Sequence, residues 1–236
     1  MPLLTQRLDK FLSEHCNLAK KHIRIILAQK KVLVDGSVAF GIEQRVNRFS
    51  KIEVDGKVVQ NNPTYYVMLH KPVGVVCATK DDRHQTVIDI LDLPFKHELH
   101  IVGRLDLNTS GLVLLTNDSR WSEAITQPRE KIEKIYQVTL ENPIDDSYIV
   151  GFEQGMYFDY EKITTQPAKL RILAKYQAEV TLTEGKYHQI KRMFGRYRNP
   201  VIALHRSQIG NLELDRDLAI GQSRPLTESE INQFKN

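Results

Sequence analysis

Apolar residues recur at helical spacing twice near the start of the chain. Leu8, Phe11, Leu12 and Cys16 form one stripe from about Arg7, and Ile23, Ile26 and Leu27 form a second from about Ala19. Two short runs of alternating β-branched residues follow, Val32-Leu33-Val34 and Ile52-Glu53-Val54. Each ends in Asp-Gly, a pair that tolerates positive φ and closes tight hairpins. The pattern predicts two helices and a small sheet over residues 1–60. Gln60-Asn61-Asn62-Pro63-Thr64 is polar and carries a proline that cannot continue a ladder, so 61–64 reads as a linker.

From Tyr65 the texture changes. Strand-like runs occupy 66–69, 111–116, 134–140, 168–173, 179–183 and 201–204. Helix-like runs occupy 86–91, 119–126, 145–154, 187–196 and 227–235, the last opening with a capping box, Thr227-x-x-Glu230. Strands outnumber helices and no βαβ rhythm is present. The expected class is therefore α+β, a small helical module followed by a second domain over 65–236. That domain should hold a mixed, mostly antiparallel sheet with flanking helices.

Composition adds little until it is resolved along the chain. The 236 residues are 41 % hydrophobic and 26 % charged, with a net charge of +4. These are the values of an ordinary globular protein, long enough to bury a sizeable core. Residues 1–62, however, hold eleven Lys/Arg against six Asp/Glu, a net of +5, while 63–236 hold 22 against 23. The excess sits in the first quarter. There, Lys20, Lys21, Arg24, Lys30 and Lys31 surround the apolar stripe of the second helix and are the candidate residues of that module for binding a polyanion.

Several classes leave no trace. No apolar run approaches the roughly 18 residues of a membrane span, and the first residues lack the apolar core of a signal peptide. Cys16 and Cys77, the two cysteines, sit among apolar neighbours, which fits free thiols in a reducing cytoplasm. No GxGxxG, GxxxxGK[ST] or GxSxG occurs. His97 and His100 are spaced like a ligand pair, yet no cysteine cluster or second pair joins them. They read as loop histidines, and no metal site is expected.

Two segments carry candidate chemistry. From Gly185 to Arg206 there are six Lys/Arg, two histidines and no acid, with Tyr187, Phe194 and Tyr197 interleaved. Cations among aromatics suit phosphates and unstacked bases, and together with the basic first module they point to RNA. The second segment, from His100 to Asp118, has small and polar residues leading into an apolar strand. A lone Asp106 in such a loop serves either as a turn residue or as a catalytic carboxylate.

At that loop a resemblance appears. Gly103-Arg104-Leu105-Asp106, Thr109-Ser110-Gly111-Leu112 and Leu115-Thr116-Asn117-Asp118 resemble the signature of the RsuA branch of pseudouridine synthases. Further matches come in the family's order. They are Leu69-His70-Lys71-Pro72-x-Gly74 (with His70 where Asn is usual), Lys134-Ile135-Tyr136-x-Val138 and Glu184-Gly185-Lys186-Tyr187-His188-Gln189-Ile190-Lys191-Arg192-Met193. Leu204-His205-Arg206-x-x-Ile209-Gly210 and Arg224-Pro225-Leu226-Thr227 complete the set. Residues 7–58 resemble an S4 RNA-binding domain, an S4-like αL module, through Arg7-Leu8-Asp9-Lys10-Phe11-Leu12 and Val32-x-Val34-Asp35-Gly36. Ala19 stands there where Ser is common, and Lys30 where Gly is common.

The resemblance implies a cofactor-free isomerisation of uridine to pseudouridine in ribosomal RNA. The uracil detaches, rotates and rejoins C1′ of the ribose through C5. It implies Asp106 as the essential carboxylate, with Lys191 paired to it. Tyr136 is implied against the flipped base and Leu204 beneath the uracil. Arg104, His188, Gln189, Arg192 and Arg206 are implied on the substrate. A uridine inside folded RNA must be flipped out before it can react. The runs around 139–143, 161–169 and 214–221 look most like the small-subunit enzyme. The expected partner is therefore 16S RNA, acted on in the cytoplasm by a monomer. The alternatives are a 23S enzyme of the same branch and a non-catalytic ribosomal RNA-binding assembly factor.

Overall fold

A computed structural model describes residues 5–234. Internal contacts divide the chain at Thr64/Tyr65 into two units. In the first, β1 (Gln6–Arg7) leads into α1 (Leu8–Cys16) and α2 (Lys20–Ala28). The strands β2 (Val32–Val34), β3 (Ser37–Val38), β4 (Arg45–Val46), β5 (Ile52–Val54) and β6 (Lys57–Gln60) follow. The predicted helices form because their stripes bury Leu8, Phe11, Leu12, Ile23 and Ile26 against Val32, Val46 and Ile52 in one small core. Both Asp-Gly pairs make the expected turns: Asp35 and Gly36 have φ of 51° and 80°, and Asp55 and Gly56 have 51° and 76°. They close hairpins of a four-stranded sheet ordered β3-β2-β5-β6. Just after α2, Lys30 takes φ 57°. The left-handed residue that commonly ends a helix is usually glycine, which explains why glycine is common at this position in the resembled pattern; Lys30 adopts the same conformation with a side chain.

The second unit contains β7 (Tyr66–Lys71), β8 (His100–Val102), β9 (Ser110–Thr116) and α3 (Ser119–Thr126). These are followed by β10 (Lys134–Leu140), α4 (Ser147–Gln154), β11 (Tyr157–Phe158), β12 (Ile163–Thr164), β13 (Lys169–Ala174) and β14 (Gln177–Leu182). The chain ends with α5 (Gln189–Gly195), β15 (Val201–Ile209), β16 (Leu212–Glu213), β17 (Ser223–Pro225) and α6 (Glu228–Asn232). The main sheet runs β13-β14-β10-β15-β9-β7-β17, with β16 on β15 and β8 on β9. Every pairing in it is antiparallel except β9 with β15. The class is mixed α and β with a mainly antiparallel sheet, as the pattern predicted.

The central strands are covered on both faces. Val67, Leu69, Val113 and Leu115 enter one core with Tyr136, Val138, Phe152 and Phe194. The alternating Met68, Leu112 and Leu114 enter another with Trp121, Ile209 and Phe234. That is why β7 and β9 read as continuous apolar runs rather than alternating ones. The capping box of α6 forms as predicted, between the Thr227 and Glu230 side chains and the backbone N–H groups of Glu230 and Thr227. The helix expected near 86–91 does not form. Thr86 and Asp89 bond to each other through side chain and backbone, closing a single turn that packs Val87, Ile88 and Leu91 inward. No helix among the described residues is long and apolar enough to cross a membrane.

Candidate active site

The loop 103–109 enters β9 and carries Asp106. Two buried cations hold its backbone. The Lys71 side chain, at the end of β7 and fully buried, donates from Nζ to the carbonyls of Pro72 (2.9 Å), Asp106 (3.1 Å), Leu107 (3.4 Å) and Thr109 (2.7 Å). Arg206, on β15 and only 1 % exposed, donates to the carbonyls of Leu112 (2.9 Å), Gly103 (3.1 Å) and Arg104 (3.5 Å). The Leu105 N–H reaches the buried Cys77 Sγ at 3.3 Å, and the Gly74 N–H reaches the Leu107 carbonyl at 2.9 Å. With its main chain so tied, the loop leaves the Asp106 carboxylate partly open to solvent. Burial pushes the Lys71 ammonium below the ordinary lysine range, opposed in part by the Cys77 thiol and Asp106.

Gly111 lets β9 approach β15. Its φ is 114°, and an added Cβ would lie 2.2 Å from the Arg206 carbonyl oxygen and 2.6 Å from the Arg206 nitrogen. No side chain fits there, which gives the Thr-Ser-Gly-Leu run a steric reason.

The remaining predicted residues converge on the same end of the sheet. Asp106 Oδ2 lies 3.5 Å from His188 Nε2, just before α5. The pairing of Asp106 with Lys191 that the resemblance implied is not made among the described residues, and His188 stands in that place. Lys191 instead lines a cleft of about 370 Å³ together with Val73, Asn108, Ser110, Ile202 and Leu204. Leu204 is buried against the core that also holds Tyr136. Tyr136 faces Arg206 across the β10–β15 ladder and is 8 % exposed. Arg104 is exposed beside Asp106.

Three residues expected on the substrate are occupied by the protein itself. Arg206 spends its guanidinium on the loop carbonyls. Gln189, 4 % exposed, bonds Glu184 Oε1 at 2.8 Å and accepts from the Lys186 N–H at 2.9 Å. Arg192 pairs with both oxygens of Glu161 at 2.6 and 2.7 Å and lies 3.7 Å over the Phe158 ring. That pair clips the β11–β12 hairpin onto α5. It holds the Glu161 carboxyl below its usual range and raises Arg192. All three side chains are thus engaged with partners inside the second unit.

Lys71 and Gly111 were quoted in the motifs, yet their tasks were not legible there. A lysine closing the apolar run Tyr66-Val67-Met68-Leu69-His70 was the available signal, since a charge in a buried strand must find acceptors. In the first unit, Lys20, Lys21, Arg24, Lys30 and Lys31 are all exposed, and Lys31 pairs with Asp55 at 3.2 Å. No group of three or more metal-ligating side chains occurs among the described residues. His100 bonds the Ser122 hydroxyl at 2.8 Å.

The site thus combines a partly open carboxylate on a tightly held loop with a cleft lined by Lys191 and by Asn108 and Ser110 that follow Asp106 in the chain. The family described as RNA pseudouridylate synthase matches residues 65–195. This chain belongs to that family. The match spans the part of the second unit that carries Asp106, Tyr136 and Lys191. Among curated relatives, a protein of Pseudomonas aeruginosa called ribosomal small subunit pseudouridine synthase A is 43 % identical, covering 95 % of this chain and 98 % of its own. A protein of the same name from Escherichia coli K12 is 42 % identical, with coverage of 95 % and 98 %. A solved structure titled as a pseudouridylate synthase is 39 % identical with a TM-score of 0.71, covering 97 % of this chain and 99 % of its own. The synthase described here is therefore similar to full-length enzymes across both of its units.

Proposed function

We propose that this synthase isomerises uridine to pseudouridine in the RNA of the small ribosomal subunit, the 16S RNA, with Asp106 as the essential carboxylate. The observation that carries the substrate is the end-to-end similarity to relatives named for the small subunit. The chemistry draws support from the held loop and open carboxylate. An anionic oxygen beside C1′ serves either as nucleophile or as base toward the sugar, and both need an ionised, fixed Asp106.

The flipped uridine occupies the cleft of Lys191 and Leu204, with Tyr136 against the base. The Lys191 ammonium faces the charge that builds on the departing uracil. Arg104, exposed and adjacent, takes a phosphate or the gap left in the strand. Arg206, Gln189 and Arg192 act as builders of the site rather than as substrate contacts. The first unit serves as an S4-like RNA-binding domain, with residues 61–64 as the linker. Its Lys20, Lys21, Arg24, Lys30 and Lys31 hold the ribosomal RNA by phosphate contacts, weakening as salt rises. The protein works as a monomer in the cytoplasm, without a cofactor.

The test follows from atom balance. Joining C5 to C1′ releases the hydrogen of C5, so RNA tritiated at C5 of uridine loses label as pseudouridine forms. Purified protein is expected to release tritium from 16S RNA and not from 23S or transfer RNA, and Asp106→Asn is expected to release none. Release from 23S RNA alone refutes the substrate, and an active Asp106→Asn refutes the role of the carboxylate.

A further inference from the structure

His188 is held in an uncommon backbone conformation at the edge of the site. Its φ is 48° and ψ 33°, the left-handed region that residues with a Cβ rarely occupy. The surroundings impose it. Gln189 on one side is buried and bonded through both ends of its amide. Tyr187 on the other has its carbonyl 3.3 Å from Arg192 Nη1, and the His188 carbonyl accepts from the Arg192 N–H at 3.0 Å. The imidazole is fixed in turn by the Tyr187 ring, stacked at 3.9 Å and 18°. Tyr187, itself 72 % exposed, lies over one face of the imidazole. What this arrangement delivers is Nε2 at 3.5 Å from Asp106 Oδ2. Backbone strain of this kind survives only where neighbours over-determine it, and it concentrates at functional sites.

We propose that His188 is a positioning residue for Asp106. Its Nε2 holds Oδ2 in one rotamer and leaves Oδ1 for the ribose, with Tyr187 as the wall that keeps the imidazole in place. The separation is wider than a formed hydrogen bond and closes as bound RNA expels water from the site. The role differs from substrate contact, and it rests on the chemistry proposed above for Asp106.

Two variants separate the readings. His188→Phe keeps a flat ring against Tyr187 and removes the nitrogen. His188→Gln restores an N–H near the same place. Single-turnover tritium release and RNA Kd are measured separately, with Trp121 fluorescence melts confirming that each variant folds like the parent. His188→Asn, which tolerates positive φ, replaces any variant that melts early. His188→Phe is expected to slow the single-turnover step by about tenfold or more with Kd within about twofold, and His188→Gln to regain most of that rate. A His188→Phe rate within about twofold of the parent overturns the proposal. So does a loss confined to Kd, or an equal loss in the Phe and Gln variants. A parent chain that releases no tritium overturns the function proposal and this one with it. An active parent beside an equally active His188→Phe overturns this one alone.

Discussion

Lys71→Met tests whether the catalytic loop is held from below. Methionine keeps most of the side-chain volume and removes the ammonium. Four carbonyls then lose their donor, at 2.7, 2.9, 3.1 and 3.4 Å. The longest contact counts least. At about 1 kcal/mol for each of the three shorter ones, the lower end of the cost of stranding a buried acceptor, the loss is about 3 kcal/mol. Part is returned, because methionine does not bear the burial penalty that depresses the Lys71 pKa. The expected net destabilisation is about 2 kcal/mol. The effect on turnover should be larger in proportion, since a loop displaced by 1 Å misplaces Asp106 and costs on the order of a hundredfold. Urea unfolding followed by the fluorescence of Trp121 reads the stability of the second unit. That residue is the sole tryptophan and is 3 % exposed. Single-turnover tritium release reads the placement of Asp106. A Lys71→Met protein within about 0.5 kcal/mol of the parent and within about threefold of its rate would refute the reasoning.

Two further outcomes are expected. Gly111→Ala drives a Cβ into the Arg206 backbone at 2.2 Å, where no flexible side chain can yield. It should destabilise the second unit by about 3 kcal/mol or more, seen as a large fall in the urea midpoint, and an unchanged midpoint contradicts the close approach of β9 and β15. Glu230, bonded to Arg224 and Thr227, has its pKa lowered to about 2 from 4.5. A depressed carboxylate pKa stabilises the fold above about 4.5, and that stability is lost as pH falls toward about 2. Thermal melts across this range should show a shallower acid slope in Glu230→Gln, the other lowered carboxylates such as Glu161 keeping theirs. Trp121, whose Nε1 donates to the Ile231 carbonyl on α6, is the reporter, and an identical acid slope in the variant would sink the claim.

The elements that were legible in the sequence are those set by local rules. The two stripes of the first unit, both Asp-Gly hairpins and the Thr227–Glu230 capping box formed where the pattern put them. The run at 86–91 misled because its apolar spacing suits a helix, while Thr86 and Asp89 satisfy each other within a single turn. The motifs located the neighbourhood of Asp106 but not the division of labour within it. Arg192, Gln189 and Arg206 look like RNA ligands in a basic window. Whether either arginine faces solvent or the protein's own acceptors depends on residues far away in sequence.

The sequence by itself determined the period of each element, its turn residues and which side chains carry charge, because those depend on neighbours a few positions away. The tertiary structure alone decided which charges are spent. Lys71 meets carbonyls 35 to 38 positions on, and Arg206 meets carbonyls 94 to 103 positions back. His188 reaches Asp106 only because α5 lies at the end of the sheet where that loop emerges. A buried cation must be matched by whatever acceptors the fold supplies, and those acceptors are backbone atoms common to every residue. No side-chain pattern announces them, so the anchoring of the loop appears only once the chain has folded.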